Sequence, residues 1–203
     1  METGSQAMLS DRFREALGYC FDLHRSQVRK GTPVPYISHL MAVASLVLEN
    51  GGDEDTAIAA LLHDAVEDQG GRETLDIIRS RFGERVADIV RHCSDSDTTP
   101  KPPWKERKEK ALRRLEKASP EEILVVLADK THNARSIVAD LHRSGPGVWD
   151  RFQGGRDGTL WYYKAMLQAL TARKLYPVLL QELAALVRYM ESYGRFDASF
   201  VVE

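Results

Sequence analysis

Four ionisable side chains crowd into six residues at His63, Asp64, Glu67 and Asp68, within the run Leu61-Leu62-His63-Asp64-Ala65-Val66-Glu67-Asp68. Read as one helix, His63 and Glu67 stand four apart, as do Asp64 and Asp68, so both pairs project as one stripe. Burying such a stripe without partners costs several kcal/mol per charge. A divalent metal removes that cost. It accepts imidazole nitrogen and carboxylate oxygen, and keeps positions open for water when it is catalytic. A solvated helix end is the plainer alternative, since Gly70 follows closely, but Ala60-Leu61-Leu62 favours burial.

Two adjacent ligands do not hold an ion. Further ligands must come from apolar helices facing this one. His39 lies in Ile37-Ser38-His39-Leu40, and Asp129 directly follows Val125-Val126-Leu127-Ala128. An Asp after such a run is explained by metal ligation or by an ion pair with Lys or Arg. His39 alone would more simply pack or hydrogen-bond, so both residues gain weight only as members of the set. His24, His92, His132 and His142 read as non-ligands, although His132 can orient Asp129 or Asn133.

The elements that must position these groups carry a helical period almost throughout. Phe13, Leu17, Cys20, Phe21 and Leu23 mark a first amphipathic helix, followed by a Gly- and Pro-rich loop at 30–35. Tyr36 to Leu48 predicts a second helix, stopped by Asn50-Gly51-Gly52. Thr56 to Val66 predicts a third, apolar on most sides and therefore central. Leu75, Ile78, Phe82, Val86, Ile89 and Val90 predict two short helices broken near Gly83. A polar loop spans 94–103 and could close over a substrate, and Trp104 to Ala118 is a charged surface helix. Ser119-Pro120-Glu121-Glu122 is a strong start signal: a cap, a proline at the first helical position and a capping-box glutamate. That helix runs to about Leu141. A Gly-rich loop covers 144–158, and two helices close the chain at about 159–173 and 177–192. No segment reads as a strand, so the expectation is an all-α single domain.

A length of 203 residues suits one sizeable domain, and 43% hydrophobic residues suffice for a core. The net charge of -2 gives no global basic field, which argues against broad nucleic-acid binding while leaving room for a local cationic pocket. No unbroken apolar stretch is longer than Ile123 to Ala128, which is too short to span a bilayer. Cys20 and Cys93 form no CxxC pair, which excludes a disulfide framework or zinc site and points to a reducing, cytoplasmic compartment. Residues 1–8 lack the apolar core of a signal peptide and read as a tag remnant, which leaves 9–203 as the domain.

A single His, then His-Asp, then a distant Asp is the pattern of the HD superfamily, which the chain resembles. More narrowly, Pro35-Tyr36-Ile37-x-His39, Ala60-Leu61-Leu62-His63-Asp64-x-Val66-Glu67-Asp68, Phe82-Gly83 and Leu127-Ala128-Asp129-Lys130-x-His132-Asn133-x-Arg135 resemble the alarmone hydrolases. These include the hydrolase half of the RelA/SpoT proteins and the small stand-alone enzymes. The chain departs from that pattern at Leu40, where the family has Pro, at Gln69, where it has Thr, and at Cys93-Ser94-Asp95. None of these positions is a ligand.

The resemblance implies an HD-type fold with one divalent ion, usually Mn²⁺, held by His39, His63, Asp64 and Asp129. A second ion would require further histidines between the His-Asp pair and the last Asp. The resemblance makes Glu67 and Asp68 the pair that orients or deprotonates the attacking water, and it places Arg25, Asn133 and Tyr163 against the nucleotide. Arg29, Lys30 and Lys130 join Arg25 as cations able to offset phosphoryl charge. The implied reaction removes the 3′-pyrophosphate of (p)ppGpp, giving GDP or GTP. With the same metal site, another HD-type nucleotide phosphohydrolase acting on monophosphates or dNTPs is the first alternative, and a non-catalytic nucleotide sensor the second. Oligomeric state is not legible in the sequence.

Overall fold

Ser10 opens the fold by accepting from Arg12 N at 3.2 Å, which caps α1 (Asp11–His24) in the computed structural model, whose described residues are 9–94 and 102–193. The tag remnant expected at 1–8 and most of the 94–103 loop lie outside the described residues. Two compact units divide the chain, the first ending at Asp129 and the second beginning at Lys130.

In the first unit, α2 (Ile37–Glu49), α3 (Glu54–Leu62), α4 (Ala65–Asp68), α5 (Gly71–Phe82), α6 (Glu84–Cys93) and α7 (Trp104–Leu115) follow α1. The central helix is α3, as its all-round apolar surface predicts. Thr56 through Leu62 are all buried, and α3 packs against α1, α2 and α6. Burial of Ile58, Leu61 and Leu62 contributes roughly 1.5–3 kcal/mol each. That anchors the one helix whose end carries the His-Asp pair. Gly83, at φ 94, makes the predicted break between α5 and α6, in a region only glycine enters without strain.

The predicted helix from Thr56 to Val66 does not run unbroken. It stops at Leu62, and α4 restarts at Ala65. The carbonyls of Ala60 and Leu61, which a continuous helix would pair with backbone N–H groups, instead accept from side chains. His63 Nδ1 contacts Ala60 O at 2.7 Å, and Cys20 Sγ donates to Leu61 O at 3.1 Å. With both carbonyls satisfied, the break avoids the ~1–3 kcal/mol cost of a buried unpaired acceptor. Burial pushes the Cys20 thiol up to about 12, so it remains a donor rather than a thiolate.

The loop before α2 is a tight hairpin. Arg29 N donates to Val34 O at 2.8 Å and Tyr36 N to Gln27 O at 2.9 Å, around a Gly31 turn at φ 73. Apart from the isolated Val28–Pro35 bridge of this loop, the described residues hold no β-structure. The capping box forms as expected: Ser119 N donates to Glu122 Oε2 at 2.7 Å, and Glu122 N to Ser119 Oγ at 3.2 Å. It starts α8 (Pro120–Ser144), the helix inside which the two units divide.

In the second unit, the Gly-rich stretch expected as a loop contains a 3-10 helix (Gly145–Arg151), and α9 (Gly155–Arg173) begins four residues earlier than Thr159. Gly145, at φ 67, ends α8, and Pro146 suits the first turn of the element that follows. The last helix, α10 (Pro177–Ser192), packs against α9.

The α3 start offers a stability test. Asp53 accepts from Thr56 N at 3.0 Å and Thr56 Oγ1 at 2.6 Å, and pairs with Arg85 at 2.5 Å. Burial would raise its pKa, but these donors outweigh it and hold it below the ordinary 3.8. A carboxylate with a lowered folded pKa contributes stability above its unfolded value and loses it as pH falls through the folded one. Asp53→Ala is expected to cost about 1 kcal/mol at neutral pH in urea unfolding, with the difference shrinking near pH ~3.

Candidate metal centre

Two helices and the break after α3 bring the four expected ligands together in the first unit. His39 comes from the first turn of α2, His63 and Asp64 from the α3–α4 break, and Asp129 from α8. His39 Nε2 lies 3.3 Å from Asp129 Oδ1 and 3.7 Å from Asp64 Oδ2. His63 Nε2 lies 3.1 Å from Asp64 Oδ2 and 3.7 Å from Asp129 Oδ1. Donor atoms of His39, His63 and Asp129, all buried, fall within 4.8 Å of one another. Ligands held ~2.1 Å from one ion at octahedral to tetrahedral angles stand roughly 3.0–3.4 Å apart, close to what these four donors show.

His63 is held rigidly at the centre of the cluster. It is 2% exposed, and its Nε2 has no hydrogen-bond partner among the described residues. Its Nδ1 faces Ala60 O, which fixes the proton there and turns the Nε2 lone pair into the cluster. Burial lowers the His39 pKa. At His63 burial acts the same way, but Asp64 and Asp129 outweigh it and raise the value. Asp64 itself is lowered, since His63 and His39 overcome its own burial. With both imidazoles neutral, the set carries two negative charges around one point, the complement of a divalent cation.

A residue outside the ligand set completes this arrangement. Tyr36 Oη donates to Asp64 Oδ2 at 2.5 Å, and its ring meets the His39 ring edge-on at a centroid distance of 5.5 Å. Burial, then the charge of Asp64, raises the Tyr36 pKa, so the phenol stays a donor. In the sequence Tyr36 stands out only as part of the Pro35-Tyr36-Ile37-x-His39 motif; its place three residues before His39, on the same helical face, is the signal that marks it.

A family model for the HD domain matches residues 16–160. The chain belongs to the HD-domain family. The guanosine-3′,5′-bis(diphosphate) 3′-pyrophosphohydrolase MESH1 of Xenopus tropicalis is 39% identical over 138 residues, 66% of this chain and 72% of that protein. The bifunctional (p)ppGpp synthase/hydrolase SpoT of Escherichia coli K12 is 36% identical over 129 residues, 62% of this chain but only 18% of SpoT. The chain thus spans about a fifth of that relative. A solved metazoan orthologue of SpoT, described as hydrolysing ppGpp, matches with a TM-score of 0.75 at 30% identity, covering 90% of this chain and 97% of that one.

In this HD domain the other expected site residues are distributed unevenly. Glu67 and Asp68 end α4, one turn beyond Asp64. They lie on a short helix of their own, which Asp64 opens by accepting from Asp68 N at 3.0 Å. Asp68 Oδ2 accepts from Gln27 Nε2 at 2.8 Å. Desolvation raises the Asp68 pKa, opposed by Gln27 and reinforced by Asp64 and Glu67. Arg25 is exposed at the α1 C-cap. Arg29, half-buried, lies over the Tyr36 ring at 5.5 Å. Lys130, Asn133 and the buried Tyr163 belong to the second unit, with Lys130 next after Asp129 in α8 and Asn133 one turn on.

Tyr36→Phe keeps the ring and deletes the donor to Asp64. It is expected to weaken divalent-ion binding by about 10-fold or more in calorimetric titration, the usual effect of losing a group that orients a ligand.

Proposed function

We propose that this HD domain hydrolyses the 3′-pyrophosphate of (p)ppGpp, giving GDP or GTP and pyrophosphate, with residues 9–203 acting as one domain and Mn²⁺ as the single divalent ion. The observation that carries the reading is the meeting of His39, His63, Asp64 and Asp129 around one buried point, in a chain whose relatives bear the name of that activity. Those four residues would hold the ion. When bound, it supplies Lewis acidity, lowering the pKa of water toward ~7 and offsetting negative charge on the phosphoryl group.

The chain's own groups supply the rest. Glu67 and Asp68 stand beyond the ligands on α4, where one or the other takes the proton of the attacking water. A carboxylate pKa raised toward the working pH makes a better base, and Asp68 is shifted that way. Arg25, Lys130, Asn133 and Tyr163 bind the nucleotide, with Arg29 and Lys30 as further cations for its phosphates. The chain's net charge of -2 disfavours a nucleic-acid partner. A reducing cytoplasm suits two cysteines that form no disulfide. No described helix is long and apolar enough to cross a membrane.

Incubated with Mn²⁺, the purified chain is expected to convert ppGpp to GDP and pppGpp to GTP, each with pyrophosphate, and to stop when EDTA is added, as read by anion-exchange chromatography. Phosphate released only from monophosphates or deoxynucleotides would keep the metal site and discard the alarmone. Asp68→Asn is expected to retain Mn²⁺ and lose turnover, whereas Asp64→Ala loses both; an Asp64→Ala chain that still binds the ion would remove Asp64 from the ligand set.

A further inference from the structure

Gln27 stands at the centre of a hydrogen-bond network that ends on Asp68. Its Nε2 donates to Asp68 Oδ2 at 2.8 Å. Its Oε1 lies 2.7 Å from His24 Nδ1 and accepts from Gln69 Nε2 at 2.8 Å. The polarity of the amide is forced. An ionised carboxylate only accepts, so the amide must present its nitrogen to Asp68 and its oxygen to the other two. His24 must therefore carry its proton on Nδ1. Its ring is held in place, being 1% exposed and stacked on Tyr36 at a centroid distance of 5.5 Å and 23°. The Gln27 backbone is pinned as well, since its carbonyl accepts from Tyr36 N at 2.9 Å across the hairpin.

We propose that Gln27, clamped by His24 and Gln69, is a positioning residue for Asp68. The clamp occupies Oδ2 and turns Oδ1 toward the attacking water, so that one oxygen is anchored and the other takes the proton. The inference rests on Asp68 acting as the base in the reaction proposed above. It gives Gln69 a task at a position where the resembled enzymes carry Thr: a second donor that holds the Gln27 amide against rotation. It also joins the two halves of the site, because Tyr36 meets both the His24 ring and Asp64. A small displacement of a reacting group costs up to about 100-fold in rate, so a neutral clamp of this kind is worth having even though each bond contributes little to stability.

The test is steady-state kinetics with Mn²⁺ and ppGpp, alongside calorimetric Mn²⁺ titration. Gln27→Leu is expected to lower kcat by about 10- to 100-fold while KM stays within about threefold and Mn²⁺ affinity is unchanged. Gln69→Thr should lose less, because His24 still holds Oε1. His24→Asn places an amide nitrogen where Nδ1 stood and should keep kcat nearer wild type than His24→Leu, a rescue that a purely packing role would not give. If Gln27→Leu does not fold, Gln27→Glu keeps both incoming donors, cannot donate to Asp68 and should show the same loss. Wild-type kcat in Gln27→Leu or Gln27→Glu would overturn the proposal, as would a loss of rate that tracks loss of Mn²⁺. A wild-type chain that cleaves another nucleotide overturns only the alarmone, and the same comparison is then made on that nucleotide. A chain that cleaves none overturns both readings.

Discussion

Two carboxylates and two imidazoles meeting in a mostly buried pocket are the constraint around which the first unit is arranged. Without a cation the set holds two negative charges where water cannot solvate them well, and one proton shared with His63 relieves only half of that. A divalent ion would relieve all of it, so its binding would be linked to folding of this unit and would stabilise the native state by mass action. The apolar packing of α3 supplies the stability against which the unloaded site is held together.

The break between α3 and α4 follows from the same constraint. A continuous helix would space His63 and Asp64 by about 100° around one axis. At the turn between α3 and α4, His63 Nε2 and Asp64 Oδ2 lie 3.1 Å from each other. Two side-chain bonds, from His63 to Ala60 O and from Cys20 to Leu61 O, take over the carbonyls that the break releases. The interruption thus sits inside the most buried helix without leaving those acceptors unpaired.

Around these four side chains lies a layer of neutral groups contributed by one hairpin. Tyr36 fixes Asp64, Gln27 reaches Asp68, and backbone bonds across the loop hold the two residues together. His24 packs its ring on Tyr36 and orients Gln27. Neutral donors suit this layer, because a further charge beside the ligands would compete with the ion or repel it. The loop that reads in sequence as a Gly- and Pro-rich connection is therefore part of the site's framework.

By itself the sequence determined the helical class, the central place of α3, the Gly83 break, the capping box at Ser119-Glu122 and the four side chains that meet at the centre. Each is written in local chemistry or in a periodic apolar pattern: a stop glycine, a reciprocal cap, a charge in an aliphatic run. The tertiary structure decided what depends on partners distant in the chain. The interruption at His63-Asp64 requires Cys20, some 40 residues away, to satisfy Leu61 O, and no periodicity reports such a bond. The parts of Tyr36, His24, Gln27 and Gln69 likewise follow from contacts between α1, the hairpin and α4. A tyrosine, a histidine and two glutamines carry no signal of their own until folding puts a carboxylate within reach of them, because a hydrogen bond is a property of a pair at a distance and an angle, and sequence records only one member at a time.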